Sequence, residues 1–468
     1  MKVLLVQPPP RRIRYEEIIT PPLGLCYLAA VLEEKNYKVE ILDAFAEQLS
    51  WADFENRVKD ARADLVGIGG MTPVIDNTLR AIKICRKYCG YLVAGGVHAT
   101  VFVDQVFRQM PDIDLAVFGE GEITFSEVVE NLDRGMPNDS VRGTANREKI
   151  NLPRDLISDL DAIPFPSRHL LPNPSYRYIL SKSRAVTTMI TSRGCPCRCV
   201  FCDKSIFGSR YRMRSAQNVV EEIKGIANTF GKPSVIFYDD LFTADRDRVI
   251  KICQGILEEG LKIDWKCESR VNNIDREMLS WMKKAGCSMI AYGVETASQK
   301  GLDYLKKNVT IEQVKEAFRL TREGGIETTG YFMLGIPVES YADEIGTIDF
   351  ARKLKADYAQ FSILSPFPGT KIYEDSVKNG SYREISGSNP VDKDIKRPVI
   401  ISGDWDERKL NKILRKAYSG FYLRVPYLLR HMFLIRSPGQ AIRYLREFFR
   451  IVCWLFKGKE NKAEDERE

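Results

Sequence analysis

The segment Thr191-Ser-Arg-Gly-Cys195-Pro-Cys197-Arg-Cys199-Val-Phe-Cys202 gathers thiol chemistry into one loop. Cys195, Cys199 and Cys202 stand in the spacing C-x3-C-x2-C. Thiolates crowded this closely must be satisfied by a metal or a disulfide. Three of them suit a cubane iron–sulfur cluster whose remaining iron is free to take a small ligand. A structural zinc site is the competing reading, but it wants four ligands, commonly as two C-x2-C pairs. Cys197 supplies a fourth only by cramming four ligands into eight residues, and no second pair lies nearby. A redox disulfide is the third reading, and a lasting one needs an exported protein. A strand-like run, Ala185 to Thr191, leads into the loop.

The elements that must position this loop come in two series. From Met1 to about Asn138, five apolar runs (Val3–Val6, Val39–Leu42, Leu65–Gly69, Tyr91–Gly95 and Leu115–Phe118) alternate with amphipathic stretches such as Gly24–Lys35 and Ile75–Lys87. That alternation predicts a doubly wound, parallel α/β sheet over residues 1–138. Ligands of such sheets bind at the carboxyl ends of the strands. Those ends carry Pro8-Pro9-Pro10, Asp43, Gly70-Met-Thr72-Pro73, Gly95-Gly96-Val-His98 and Gly119-Glu120-Gly121-Glu122. Residues 139–184, with five prolines, read as a linker. A second βα series follows over 185–402, with strands expected at Ala185–Thr191, Ser234–Tyr238, Asp264–Cys267, Met289–Gly293, Thr328–Leu334 and Tyr358–Ile363. Polar residues again cluster at the strand ends, among them Asp239-Asp240, Glu268-Ser-Arg270 and Gly293-Val-Glu295.

The cysteine loop resembles the signature of the radical SAM enzymes, in which the free iron is chelated by S-adenosylmethionine (SAM). Phe201 stands before the last cysteine, where that family has an aromatic against the adenine. Six βα units resemble the family's partial (β/α)6 barrel. The resemblance puts Asp240, Arg270 and Glu295 in the SAM site: Arg270 is a fork suited to a carboxylate, and Glu295 can accept ribose hydroxyls. The alternative for each is a structural salt bridge at the barrel mouth.

The first domain is similar to cobalamin-binding domains. Asp43, Thr72 and Gly95-Gly96 fall where that family has them, and Pro21-Pro22-Leu-Gly-Leu25 fits the version found ahead of radical SAM domains. The resemblance groups Asp43, Thr72, Gly95, Gly96, His98 and Glu120 as cobalamin-binding residues. One departure stands out. The usual motif, D-x-H-x-x-G, supplies a histidine to cobalt, whereas Asp43-Ala-Phe45-Ala-Glu-Gln48 places Phe45 there. His98 is then a loop histidine rather than a cobalt ligand, and cobalamin is held without a histidine on its lower face.

Together these features resemble the cobalamin-dependent radical SAM enzymes over roughly residues 1–400. That family includes methylases of unactivated carbon or phosphorus and the anaerobic magnesium-protoporphyrin ester cyclase. The resemblance implies a [4Fe–4S] cluster, SAM and cobalamin, an electron donor such as flavodoxin or ferredoxin, and a 5′-deoxyadenosyl radical. The expected activity is methyl transfer to an unactivated carbon of a bulky, lipid-like or tetrapyrrole small molecule. A cyclase or oxidase without methyl transfer, and a corrinoid-binding sensor or carrier, are the rival readings.

The formal net charge is +7, and Phe421 to Lys459 alone holds eight basic residues against one acid, Glu447. That segment therefore equals the whole excess and lies within residues 403–468, expected as a helical, basic and aromatic appendage with a disordered tail after Lys459. Arg443, Arg446 and Arg450 recur at helical spacing, which suits a peripheral membrane contact, a lid over the substrate, or a packed helix with solvated arginines. No RNA-binding module accompanies the charge, so nucleic acid is not an expected partner. No run of 18 uncharged apolar residues occurs, and the short apolar start runs into prolines, so neither a spanning helix nor a signal peptide is expected. Eleven cysteines without an export signal point to reduced thiols in a cytoplasm.

Overall fold

The computed structural model describes residues 1–10, 18–172, 176–178, 180, 181, 183, 185–385, 397–434 and 453. The chain divides into two compact units. One comprises Met1–Cys197, Lys204–Glu268 and Ser280–Ser288; the other comprises Arg198–Asp203, Ser269–Leu279 and Met289–Glu468 so far as described.

The first unit opens with five parallel strands, β1 (Lys2–Gln7), β2 (Lys38–Asp43), β3 (Leu65–Gly69), β4 (Tyr91–Gly95) and β5 (Leu115–Val117), in the order β2-β1-β3-β4-β5. Val3 of β1 lies opposite Val39 on one side and Leu65 on the other. A short antiparallel strand, Thr144–Ala145, closes the β5 edge. The inner strands are apolar on both faces because helices cover both, whereas the edge strand β2 exposes Lys38 and Glu40. Val3 and Leu5 pack under the helices Leu23–Glu34 and Gly121–Asp133, while Leu4 and Val6 pack under Trp51–Ala61 and Ile75–Cys85. Gly67 sits mid-strand for a packing reason: a Cβ there would stand 2.9 Å from Leu5 Cδ2 and 3.0 Å from Phe125 Cζ. The strand order reverses between β1 and β3. This opens a crevice at their carboxyl ends, above Pro8 and Gly70.

The same unit holds three more parallel strands, β6 (Val186–Met189), β7 (Ser234–Phe237) and β8 (Asp264–Ser269). Phe237, Phe242 and Trp265 form an aromatic core beneath them, and Trp265 Nε1 donates to Ala285 O at 2.8 Å. The proline-rich stretch is packed where it is described. Arg168, largely buried, pairs with Glu222 at 2.6 Å, and the Tyr176 hydroxyl donates to Asp43 at 2.8 Å.

The second unit contains β9 (Cys287–Glu295, from Met289 onward), β10 (Glu327–Leu334) and β11 (Tyr358–Ile363), again parallel. The helices Ile311–Glu323 and Tyr341–Lys353 begin with capping boxes at Thr310 and Ser340, which satisfy their first free N–H groups. The helix Glu407–Tyr422 opens the appendage and packs on β11. Its Leu410, Ile413, Leu414, Ala417 and Phe421 are buried, and the Tyr418 and Tyr422 hydroxyls donate to Phe361 O and Ala359 O. Tyr427 is 9% exposed and donates to Asp357 O, so the front of the basic, aromatic segment is folded into this unit. Arg443, Arg446 and Arg450 lie outside the described residues. Among the described residues no helix is long and apolar enough to cross a membrane. The α/β class, with strands within a few residues of those expected, is the fold observed.

Candidate functional site

The loop after β6 is held residue by residue before its first cysteine. Thr191 donates through its backbone N–H (2.7 Å) and its hydroxyl (2.6 Å) to the buried Asp239, and Ser192 Oγ donates to the same carboxylate at 2.6 Å. Arg193 forks onto Glu120 (2.8 Å) and Glu122 (2.5 Å), and Gly194 N–H donates to Asp240 Oδ2 at 3.0 Å. Ser192 and Arg193 pair antiparallel with Met213 and Arg212, which close the loop as a hairpin. Gly194 has φ +80°, and a Cβ there would fall 2.3 Å from Arg210 O. Only glycine fits this position. Burial raises the carboxyl pKa of Asp239 and Asp240, opposed at Asp240 mainly by the Gly194 hydrogen bond. In this unit Lys204 Nζ reaches Cys195 O at 2.9 Å and also binds Cys197 O. Cys195 is pushed upward chiefly by a hydrogen bond with Cys197 and by burial, a state that a bound metal would replace with a thiolate.

The chain passes into the second unit at Arg198–Asp203. There Cys199 O accepts from Cys202 N–H at 3.3 Å, and Val200 is pinned on both sides by backbone bonds with Leu305 and Ile372. Phe201 packs on Leu305, Ile336 and Leu364. Arg270 points one guanidinium nitrogen at Cys199 Sγ (3.7 Å) and another at Lys307 O. Glu295 adopts φ +68°, a conformation disfavoured for a glutamate, and pairs with Lys307 at 2.5 Å; the Lys307 ammonium stands 5.8 Å over the Phe201 ring. A Cβ on Gly293 would sit 2.5 Å from both charged atoms, so this glycine makes room for the pair. Strain held by a buried ion pair beside an aromatic and a thiol makes this a candidate functional centre. The structure thus gathers Cys199, Phe201, Arg270 and Glu295, and adds Lys307, which nothing in the sequence singled out. No disulfide involves these cysteines. Among the described residues no three His, Cys, Asp or Glu side chains close to metal-binding distance. What fits a cluster is the donor set, three cysteines outside any disulfide on a loop shaped by a mandatory glycine.

The crevice of the five-stranded sheet is lined by small residues and open apolar ones. Gly119, at φ +77°, has nothing within 4 Å of a would-be Cβ, and Met71 is 57% exposed. A Cβ on Gly96 would come 3.1 Å from Gly70 O, so these two loops touch through their backbones. Such a floor fits a broad, flat ligand. Asp43 is buried, and burial raises its pKa while Ala46 N–H and Tyr176 lower it. Thr72 Oγ1 meets His98 Nδ1 at 3.2 Å, and His98 Nε2 meets Gln109 Oε1 at 2.6 Å. Both ring nitrogens are therefore engaged, and burial lowers the histidine pKa, favouring the neutral ring. Phe45 packs into the core beside Val39 and Ile41. Glu120 accepts from Arg193, Arg212 and Ile157 N–H.

The profile of the Radical SAM superfamily matches residues 189–351, and that of the B12 binding domain matches residues 17–129. An uncharacterized methyltransferase of Pyrococcus horikoshii is 36% identical over 92% of this chain and 95% of its own length. The anaerobic magnesium-protoporphyrin IX monomethyl ester cyclase of Rubrivivax gelatinosus is 28% identical over 87% of this chain and 75% of its own. The radical S-adenosylmethionine methyltransferase TsrM from Kitasatospora setae, solved with cobalamin and a [4Fe-4S] cluster bound, shares the fold with a TM-score of 0.72 at 18% identity, covering 90% of this chain and 88% of that one. The chain belongs to the radical SAM superfamily, in its cobalamin-dependent branch. It is an enzyme whose cofactors are a [4Fe–4S] cluster, S-adenosylmethionine and cobalamin.

Proposed function

We propose that this enzyme transfers a methyl group to an unactivated carbon of a bulky substrate, of lipid-like or tetrapyrrole type. The observation that carries the reading is the near end-to-end match to a methyltransferase, with both cofactor domains and the cysteine loop in place. With its cofactors bound, such a site supplies one-electron cleavage of SAM to a 5′-deoxyadenosyl radical and a methyl group carried on cobalt.

The residues of this chain do the rest. Cys195, Cys199 and Cys202 would hold the cluster. Phe201 offers its ring to an adenine, with Lys307 above it holding Glu295 for ribose hydroxyls. Arg270 has a planar fork for a carboxylate, and its approach to Cys199 Sγ lets it stabilise a thiolate as well. Asp240 and Gly194 set the loop against the end of β7. In the first domain, Thr72, Gly95, Gly96 and His98 would line the crevice for cobalamin, with His98 held on both nitrogens by Thr72 and Gln109 rather than offered to cobalt. The thiols and an oxygen-sensitive cluster support a reading in which the enzyme works in the cytoplasm with a flavodoxin or ferredoxin as reductant.

A second reading, oxidative cyclisation without methyl transfer, is favoured by the cyclase relative. Anaerobic turnover of reconstituted enzyme with candidate lipids and tetrapyrroles separates the two by product mass. Methyl transfer adds one methyl group and yields S-adenosylhomocysteine alongside 5′-deoxyadenosine. Cyclisation yields 5′-deoxyadenosine without it. A reduced, cofactor-replete enzyme that cleaves no SAM would remove both.

A further inference from the structure

Four charged side chains are buried together beside the cysteine loop. Arg193, Arg212, Glu120 and Glu122 expose 3%, 3%, 4% and 9% of their side chains. Arg193 grips both glutamates, and Arg212 Nη1 lies 2.9 Å from each oxygen of Glu120. Arg212 also donates to Ile157 O (2.6 Å) and Phe207 O (3.0 Å), while Ile157 N–H returns a hydrogen bond to Glu120 at 2.8 Å. Tyr27 and Phe207 flank the Arg193 guanidinium at 5.4 and 5.1 Å. The charges cancel and nearly every polar atom is engaged; Arg212 Nε is the exception.

Such a network is a poor way to gain stability, because desolvating four charges consumes most of their attraction. What it does well is fix orientation, since a guanidinium fork admits few arrangements of its carboxylates. The two sides come from different parts of the chain. Glu120 and Glu122 begin the helix Gly121–Asp133, at the carboxyl end of β5 in the sheet that forms the cobalamin crevice. Arg193 and Arg212 are the two strands of the hairpin that closes the cysteine loop. Of the anchors on the four residues before Cys195, only those on Arg193 come from the cobalamin-binding domain; Asp239 and Asp240 belong to the end of β7.

We propose that Glu120 and Glu122 are positioning residues that latch the base of the cluster loop to the cobalamin-binding sheet through Arg193 and Arg212. Glu120 in this role is not a contact to cobalamin. The proposal rests on the cofactor assignment, but not on whether the product is methylated. Its test therefore uses no substrate.

The variants are Glu122→Gln, which keeps an acceptor for Arg193, Glu120→Gln, and Arg193→Lys, which keeps the charge and loses the fork. Each is read in three ways in the full chain: hydrogen–deuterium exchange of residues 190–213 without cofactors, titration with hydroxocobalamin, and the electron paramagnetic spectrum of the reduced, reconstituted cluster. The latch predicts exchange about tenfold faster in 190–213, confined to that stretch. It also predicts cobalamin affinity within about threefold of wild type and a cluster signal broadened by heterogeneity. Arg193→Lys should resemble the glutamine variants despite its retained charge, which separates orientation from net electrostatics. Loss of cobalamin binding in Glu120→Gln with loop exchange unchanged would overturn the proposal and make Glu120 a cobalamin contact. Unchanged exchange with an unchanged cluster signal would reduce the network to packing. A variant that fails to fold is answered by Glu122→Gln, the mildest of the three, in which the Glu120 pairs with both arginines survive.

Discussion

Replacing Gly194 by alanine tests whether the cysteine loop has the shape that the structure gives it. The residue sits at φ +80°, where an L side chain costs about 1–2 kcal/mol. Its Cβ would also meet Arg210 O at 2.3 Å, Phe207 O at 2.9 Å and Arg210 C at 3.1 Å. These are backbone atoms, so no side-chain rotation relieves the contact. Neither can the hairpin simply open, because Arg193 pairs with Arg212 and both arginines are tied into the buried carboxylates. Overpacking of this kind adds about 1–3 kcal/mol, giving a total of about 2–5 kcal/mol against a typical stability of about 5–15 kcal/mol. The cheapest release is displacement of the segment after Gly194, which carries Cys195. The expected result is a folded protein with unchanged far-ultraviolet circular dichroism, a lower melting temperature, and less than half the iron and 400-nm absorbance of wild type after anaerobic reconstitution (about twofold or more, following the loss of one well-placed ligand). Gly225→Ala is the matched control. It lies exposed in the helix Ala216–Phe230 with nothing within 4 Å of its Cβ, and should be neutral or stabilising by about 0.5–1 kcal/mol. A Gly194→Ala protein with wild-type melting temperature and full iron content would refute the loop geometry.

Alanine at Cys195, Cys199 or Cys202 should abolish the cluster chromophore, whereas Cys197→Ala should keep most of it; the reverse pattern would reassign the ligands. Bound cob(II)alamin should give an electron paramagnetic spectrum without nitrogen hyperfine splitting from an axial base, because Thr72 and Gln109 occupy both nitrogens of His98. Splitting that disappears in His98→Ala would contradict this. In the second unit, burial and then the neighbouring Glu339 push Glu344 up to about 8, while Gly335 and Ile336 N–H groups hold one of its oxygens. A carboxyl raised in the fold stabilises most below its unfolded pKa, near 4.3, and that contribution is lost as pH rises through about 8, on the order of 3–5 kcal/mol. The wild type is therefore expected to lose melting temperature between pH 5 and about 8.5, Glu344→Gln should flatten that fall, and an equally steep fall in the variant would assign it elsewhere.

Much of this was legible along the chain because it depends on local pattern. The strands were visible as apolar runs of the right length, and β3, β4 and β11 fall where the sequence puts them. The cysteine spacing is a one-dimensional signal. Lys307 was not visible, since a lysine in a loop after a short helix reads as a solvated charge. Its value comes from Glu295 and Phe201 reaching it in three dimensions. The stretch 139–184 looked like a linker by composition, yet Arg168 and Tyr176 are buried by partners, Glu222 and Asp43, that lie 54 and 133 residues away in sequence. Composition reports that prolines break regular structure; it does not report whether the irregular chain is covered.

The carboxylates show where the boundary between the two kinds of knowledge falls. Asp43, Glu120, Asp239 and Asp240 all stand at strand ends, the place where an α/β protein presents ligand-binding groups. In the structure each accepts hydrogen bonds from the protein itself: Asp43 from Tyr176, Glu120 from two arginines, Asp239 from Thr191 and Ser192, and Asp240 from Gly194. Three of the four hold the same short segment, residues 191–194. A loop that must keep three thiols in register has few apolar side chains of its own to bury, so its shape has to come from polar contacts made by its surroundings. Strand ends are where such contacts are available, because the backbone there is already fixed by the sheet. A polar residue at a strand end therefore serves the ligand either directly or by shaping the loop that holds it. In this protein Glu120, Asp239 and Asp240 take the second part, each holding a residue of the segment 191–194.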